Sequence, residues 1–216
     1  MATDTRPDGG MAAALVDRLL DVGIDGRGRF EPAQAVAVAA RREHPDVERA
    51  VDAVIARHLR LAAANGFVTG LGGFVTLPVA LPANVLGFYA VATRMVAAVA
   101  ALRGYDLRER GVRSAVMLAL VGADADDLLH SVGVPTTGRL ASLASQRLPA
   151  PAAMVLHKGI GFRLLSTAGR SVFARFGSGV PVLGGAVGAG LDAYLLHKIA
   201  EQARSELPPR AAAIES

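Results

Sequence analysis

Apolar side chains recur at helical spacing along most of this chain. Leu15, Val16, Leu19 and Val22 mark a helix over residues 12–22. A glycine-bearing stretch, 23–29, follows as a loop. Pro32 in a first turn opens a short helix to Arg42, and Pro45 opens another to about Ala64. The latter carries Val47, Val51, Val54, Ile55, His58 and Ala62 on one stripe. Glu48, Arg49, Asp52, Arg57 and Arg60 lie on the other face, the pattern of an amphipathic surface helix. Asn65-Gly66 offers a left-handed residue to end it.

From Leu61 to Thr93 no side chain is charged. Within that block, Gly66, Gly70, Gly72 and Gly73 are followed by Phe74, Pro78 and Pro82. This density of glycine and proline predicts a short helix or an irregular turn, then a longer helix over 82–102. That helix is apolar all round except at Arg94. Asp106 and Glu109 have the spacing of a capping box for the next helix, which passes from Arg108, Glu109, Arg110 and Arg113 into an apolar run at 115–121. Short helices are expected at 124–132 and 137–148, then longer ones at 151–167 and 181–207. The last begins among Gly184, Gly185, Gly188 and Gly190 and ends amphipathic. No alternating strand and no fixed-period repeat is visible. The expected fold is an all-α, single-domain helical bundle spanning 11–207. Its irregular, glycine- and proline-rich apolar segments lie at 66–82 and 178–190, and short disordered tails flank it at 1–10 and 208–216.

Residues 83–102 have the length of a bilayer span. Arg94 at the centre opposes insertion by about 2.5–3.5 kcal/mol, and the alanines and glycines offset little of that. A buried core helix or a reversible surface insertion is the better reading. Gly66 and Gly70, and likewise Gly184 and Gly188, are four apart, on one face of any helix they join, where small residues let backbones approach closely. Arg94 and Asp192 are lone charges in or beside apolar segments. A buried unpaired charge is expensive, so the two are candidates to pair across packed helices.

Composition sharpens this picture. Hydrophobic residues are 52% of the 216, charged ones 19%, and there is no Trp and no Cys. The mean hydropathy of +0.37 is high for a chain fully in water. Without cysteine there are no disulfides, thiolate metal sites or cysteine nucleophiles, which fits a reducing cytoplasm. The net charge of +4 is almost all arginine, lysine standing only at Lys158 and Lys198. The arginines alternate with acids and lack interleaved aromatics, so no nucleic-acid partner is expected. Asp124, Asp126, Asp127 and His130 have helical spacing for a metal, but acids in a first turn also suit the helix dipole, and no metal is expected there. His44, His157 and His197 have no partner at helical spacing and are expected at the surface. No nucleophile elbow, dinucleotide fingerprint or phosphate loop occurs. No catalytic residue and no cofactor is therefore expected.

The residues Asn65-Gly-Phe-Val-Thr-Gly-Leu-Gly-Gly-Phe-Val-Thr-Leu-Pro78, then Arg94 and Gly104-Tyr-Asp106, resemble the first signature of the EcsC protein family. Pro181-Val-Leu-Gly-Gly-Ala-Val-Gly-Ala-Gly-Leu-Asp192, followed by Ala200 and Ala203, is similar to its C-terminal signature. The likeness covers about 45–207. It departs at Ala80, Pro82 and Asn84, where the family often has an aspartate, and at Arg103, where it often has an aromatic. The resemblance implies a helical bacterial protein in the cytoplasm, peripheral to the inner face of the cell membrane, without established enzyme activity. Its implied partner is the membrane surface or a membrane protein such as an ABC transporter. The contact residues expected are Phe67, Leu71, Phe74, Val75 and Leu77, assisted by nearby arginines acting on anionic lipid. The alternative is a soluble adaptor or homo-oligomer that uses the apolar segments as core or interface.

Overall fold

The computed structural model describes residues 9–27, 30–71, 77–121, 129–130, 133, 138–145, 149–175 and 181–210. Among them the chain is all-α, with no strand. Helix α1 (Gly9–Leu19) runs into a π-helical turn (Leu20–Ile24). Then come α2 (Ala33–Glu43), α3 (Val47–Leu71), α4 (Leu77–Leu102), α5 (Arg110–Ala119), α6 (Arg139–Ser145), α7 (Ala150–Arg175) and α8 (Pro181–Glu206).

Helix α4 is the axis of the molecule. Every residue from Phe88 to Ala100 is buried. The central part of the apolar stretch, Phe88 to Ala100, is therefore covered by protein, and α1, the π turn, α2, α3, α5 and α8 all contact α4. Among the described residues no helix is long and apolar enough to cross a membrane. Thr93, polar and fully buried, satisfies its hydroxyl by donating to the Tyr89 carbonyl at 2.7 Å.

Local chemistry sets several boundaries. The Asp46 carboxylate accepts the Arg49 N–H at 2.9 Å, capping the start of α3. Pro181 begins α8, where its missing N–H has no intrahelical partner to lose. Asp106 does not cap a helix with Glu109. Its carboxylate accepts the N–H of Arg108, two residues on, at 2.9 Å, which makes a turn, and α5 starts only at Arg110. Nor does Gly66 end α3. Its φ is not positive, and the helix continues to Leu71 because the absent side chain serves close packing instead. Helix α8 likewise runs unbroken through Gly184, Gly185, Gly188 and Gly190. The described parts of the glycine-rich segments, 66–71, 77–82 and 181–190, are thus more helical than composition implies.

Helices α3 and α8 share the most extensive contact in the molecule and run antiparallel. At one end Gly66 faces Gly188: a Cβ built on Gly66 would stand 2.4 Å from the Gly188 carbonyl oxygen. At the other end Arg204 bonds Asp52. This end is tied together by Arg103, which follows α4. Its guanidinium forks onto both Glu48 oxygens at 2.9 Å and also donates to the carbonyls of Arg204 and Leu207, the latter at 2.6 Å. The chain after α8 then folds back. Tyr105 donates to the Pro208 carbonyl at 3.0 Å, and the Arg210 N–H donates to the Arg103 carbonyl at 2.9 Å. Residues 208–210, expected within a tail, are held in this way, while 1–8 and 211–216 lie outside the described residues. Across the molecule, Arg113 of α5 grips Asp25 with two bonds of 2.9 and 2.6 Å, anchoring the π turn.

Candidate functional site

The bundle has two unlike poles. The antiparallel course of α3 and α8 puts the C-terminal end of α3 beside the N-terminal end of α8, both drawn from uncharged sequence. The opposite pole holds Glu48, Asp52, Arg103, Arg204, Glu109 and Arg210 in ion pairs.

At the uncharged pole Phe67 is 43% exposed, Val68 67% and Val187 51%. Leu86 of α4, 39% exposed, lies within the same uncharged sequence. Because Gly66 lies on Gly188, the neighbouring Phe67 and Val187 belong to the same level of the bundle. Of the contact residues read from sequence, Phe67 is thus exposed. Leu71 closes α3 and Leu77 opens α4, while their side chains are outside the described residues, as are Phe74 and Val75 entirely. Gly70 and Gly184 lie on α3 and α8, with their surroundings likewise outside. Val68, Leu86 and Val187 were missed by sequence reasoning. Val187 reaches the same end of the bundle only through the long-range pairing of α3 with α8, a separation no local pattern reports.

Arg94 and Asp192 occupy different surroundings. Asp192 is fully buried, with Oδ2 only 2.8 Å from where a Gly66 Cβ would stand. Arg94 donates from Nε to His58 Nε2 at 3.2 Å, and its Cζ lies 5.1 Å from the centre of the Phe30 ring. His58 is fully buried and its Nδ1 lies 2.8 Å from the Val54 carbonyl. A carbonyl can only accept and the Arg94 Nε–H can only donate, so the neutral Nδ1–H tautomer satisfies both contacts. Burial pushes the His58 pKa down to about 4, the Val54 hydrogen bond opposes this, and the charges of Arg94 and Arg57 add to the lowering. Burial also lowers the pKa of Arg94, with Arg57 lowering it further and Glu31 raising it.

His157, expected at the surface, is half-buried between α5 and α7, its Nε2 3.4 Å from the Ser114 hydroxyl. Burial lowers its pKa, and the charge of Asp17 opposes that. Ser114 is itself buried, so the arrangement reads as a helix–helix contact rather than an exposed nucleophile. The stretch 124–128 with its three acids lies outside the described residues. His130 is exposed, and no group of three metal-ligating side chains occurs among the described residues.

Fold and site together define an all-α helical bundle with one apolar and one ion-paired pole. No family model matches the chain, and no curated protein or solved structure is significantly similar to it.

Proposed function

We propose that this protein is a non-enzymatic, peripheral membrane-associated protein of EcsC-like type. It docks its apolar pole on the cytoplasmic face of a bacterial membrane, or on a membrane protein such as an ABC transporter. The observation that carries the reading is the exposure of Phe67, Val68 and Val187 at the end of the bundle where two uncharged sequence blocks meet. Large apolar side chains exposed at one end of a bundle are candidates for an interaction surface. The absence of Trp is the one compositional feature against an interfacial anchor. Arginines outside the pole would add salt-dependent attraction to anionic lipid.

The test is co-sedimentation with phosphatidylglycerol-containing vesicles. The wild-type chain is expected to pellet with them, less so at high salt, and a Phe67→Ser/Val187→Ser variant to remain in the supernatant while keeping its helical circular dichroism. Equal behaviour of the two proteins would remove the reading.

A second reading, a soluble adaptor or homo-oligomer, is favoured by one specific feature. Helix α7 exposes Met154, Val155 and Phe162 on a single face. Sedimentation equilibrium separates the two: a stable oligomer that a Phe162→Ser change dissolves favours the adaptor.

A further inference from the structure

Arg94 presents a physical problem that the apolar pole does not explain. It is only 7% exposed, in the middle of the most buried helix of the molecule. Burying a guanidinium is unfavourable unless a counter-charge accompanies it. Its Nε is satisfied by a neutral imidazole and one face of its plane meets the Phe30 ring. Neither partner carries a negative charge. The two terminal nitrogens have no acceptor among the described residues and are not among the buried atoms left without a partner, so they open to solvent.

The charged groups acting on Arg94 are Arg57 and Glu31. Glu31 is engaged elsewhere: its Oε2 lies 3.4 Å from an Arg57 terminal nitrogen. Both of these side chains are more than half exposed, so a solvent-borne ion can reach them. The result is one largely buried guanidinium against the Phe30 ring and one exposed guanidinium paired with the adjoining Glu31. Each guanidinium presents paired N–H donors that match an oxyanion. Held in place by His58, Arg94 is preorganised for such a ligand, which lowers the ordering cost of binding.

We propose that Arg94 and Arg57 form a binding site for a phosphate-type oxyanion, with Phe30 packing beside the ligand and Glu31 displaced from Arg57 when the anion enters. The ligand supplies the counter-charge that the fold itself withholds from Arg94. The site lies on the side of the bundle, on α3, α4 and the segment before α2, and does not depend on the apolar pole for its chemistry. The phosphate has two sources, a soluble ligand or a lipid head group, and the experiment separates them.

The probe is inorganic phosphate titrated against the whole protein at constant ionic strength, with chloride as the reference salt. The Arg94 Nε–H resonance is followed by proton–nitrogen NMR. A saturable, phosphate-specific shift is expected in the wild type, together with a rise in Tm. Arg57→Gln, at an exposed position, should keep the fold and weaken phosphate roughly tenfold, the usual effect of losing a charged hydrogen-bond donor. Arg60→Gln, another exposed change on the same helix, should leave binding unaltered. Arg94→Gln should abolish it, and if that variant does not fold, Arg57→Gln carries the decision. The lipid arm compares phosphatidylglycerol vesicles with neutral phosphatidylcholine vesicles. Weaker vesicle binding by Arg57→Gln with no response to free phosphate assigns the site to a head group. A free-phosphate response with unchanged vesicle binding assigns it to a soluble ligand. If phosphate moves the Arg94 resonance no more than chloride does and Arg57→Gln binds anionic vesicles like wild type, the proposal is overturned.

Discussion

His58 shows how one side chain couples burial to pH. Its folded pKa, about 4, is below the 6.5 of an unfolded histidine. Between those values the unfolded chain binds more protons than the folded one, so stability rises with pH across that window. The contribution is complete above about pH 6.5 and is lost as the pH falls toward 4, about 3 kcal/mol in all at order of magnitude. Urea unfolding at pH 7 and pH 5 should therefore show a larger drop for wild type than for His58→Gln. Equal drops would mean that His58 titrates normally in the fold. The sequence placed His58 on the apolar stripe of its helix, among residues that the fold buries. Its partner Arg94, on the next helix, was visible only as a charge needing company. Which company it has was decided by the turn of α4 against α3 and by the segment carrying Phe30.

Helix pairs depend on single atoms at their closest points. Gly66→Ala would force a methyl to within 2.4 Å of backbone, which cannot move like the end of a side chain. It should destabilise the fold by about 1–3 kcal/mol or more. Gly190→Ala, two residues further along α8 on its exposed side and with nothing within 4 Å, should instead stabilise by about 0.5–1 kcal/mol through helix propensity. Thermal unfolding of the two variants checks the contrast, and a similar sign for both would contradict the packing. At the other end, Arg103→Met removes the donors that hold the last carbonyls of α8. A loss of about 1–3 kcal/mol is expected, with amide exchange accelerating first in residues 203–207. Uniform acceleration through α8 would count against a local clasp. Glycine spacing in the sequence identified positions suited to close approach. It did not distinguish a helix end from a helix contact at Gly66, because glycine serves both and only the presence of α8 selects one.

At the scale of the molecule, antiparallel packing sorts the chain into poles. Two uncharged blocks, whose contacting residues Gly66 and Gly188 are 122 positions apart in sequence, come together at one end, and the arginine–carboxylate pairs gather at the other. An exposed apolar pole should bind a hydrophobic dye such as anilinonaphthalene sulfonate in the native state. Phe67→Ser/Val187→Ser should reduce that fluorescence by half or more if the pole dominates, about in proportion to the apolar surface removed. Unchanged fluorescence would locate the binding surface elsewhere, the α7 stripe being the alternative.

By itself the sequence determined that the chain is helical, where most helices run and that one of them is apolar enough to form the core. These are consequences of local periodicity, proline and capping residues, and of a long block without charge. Tertiary structure alone decided that Arg94 meets His58, that Gly66 meets Gly188 and that Arg103 clasps the end of α8. Each joins residues 36 to 122 positions apart, as between Arg94 and His58 or Gly66 and Gly188. Helical spacing governs neighbours three or four residues away, whereas these contacts depend on how whole helices are laid against one another.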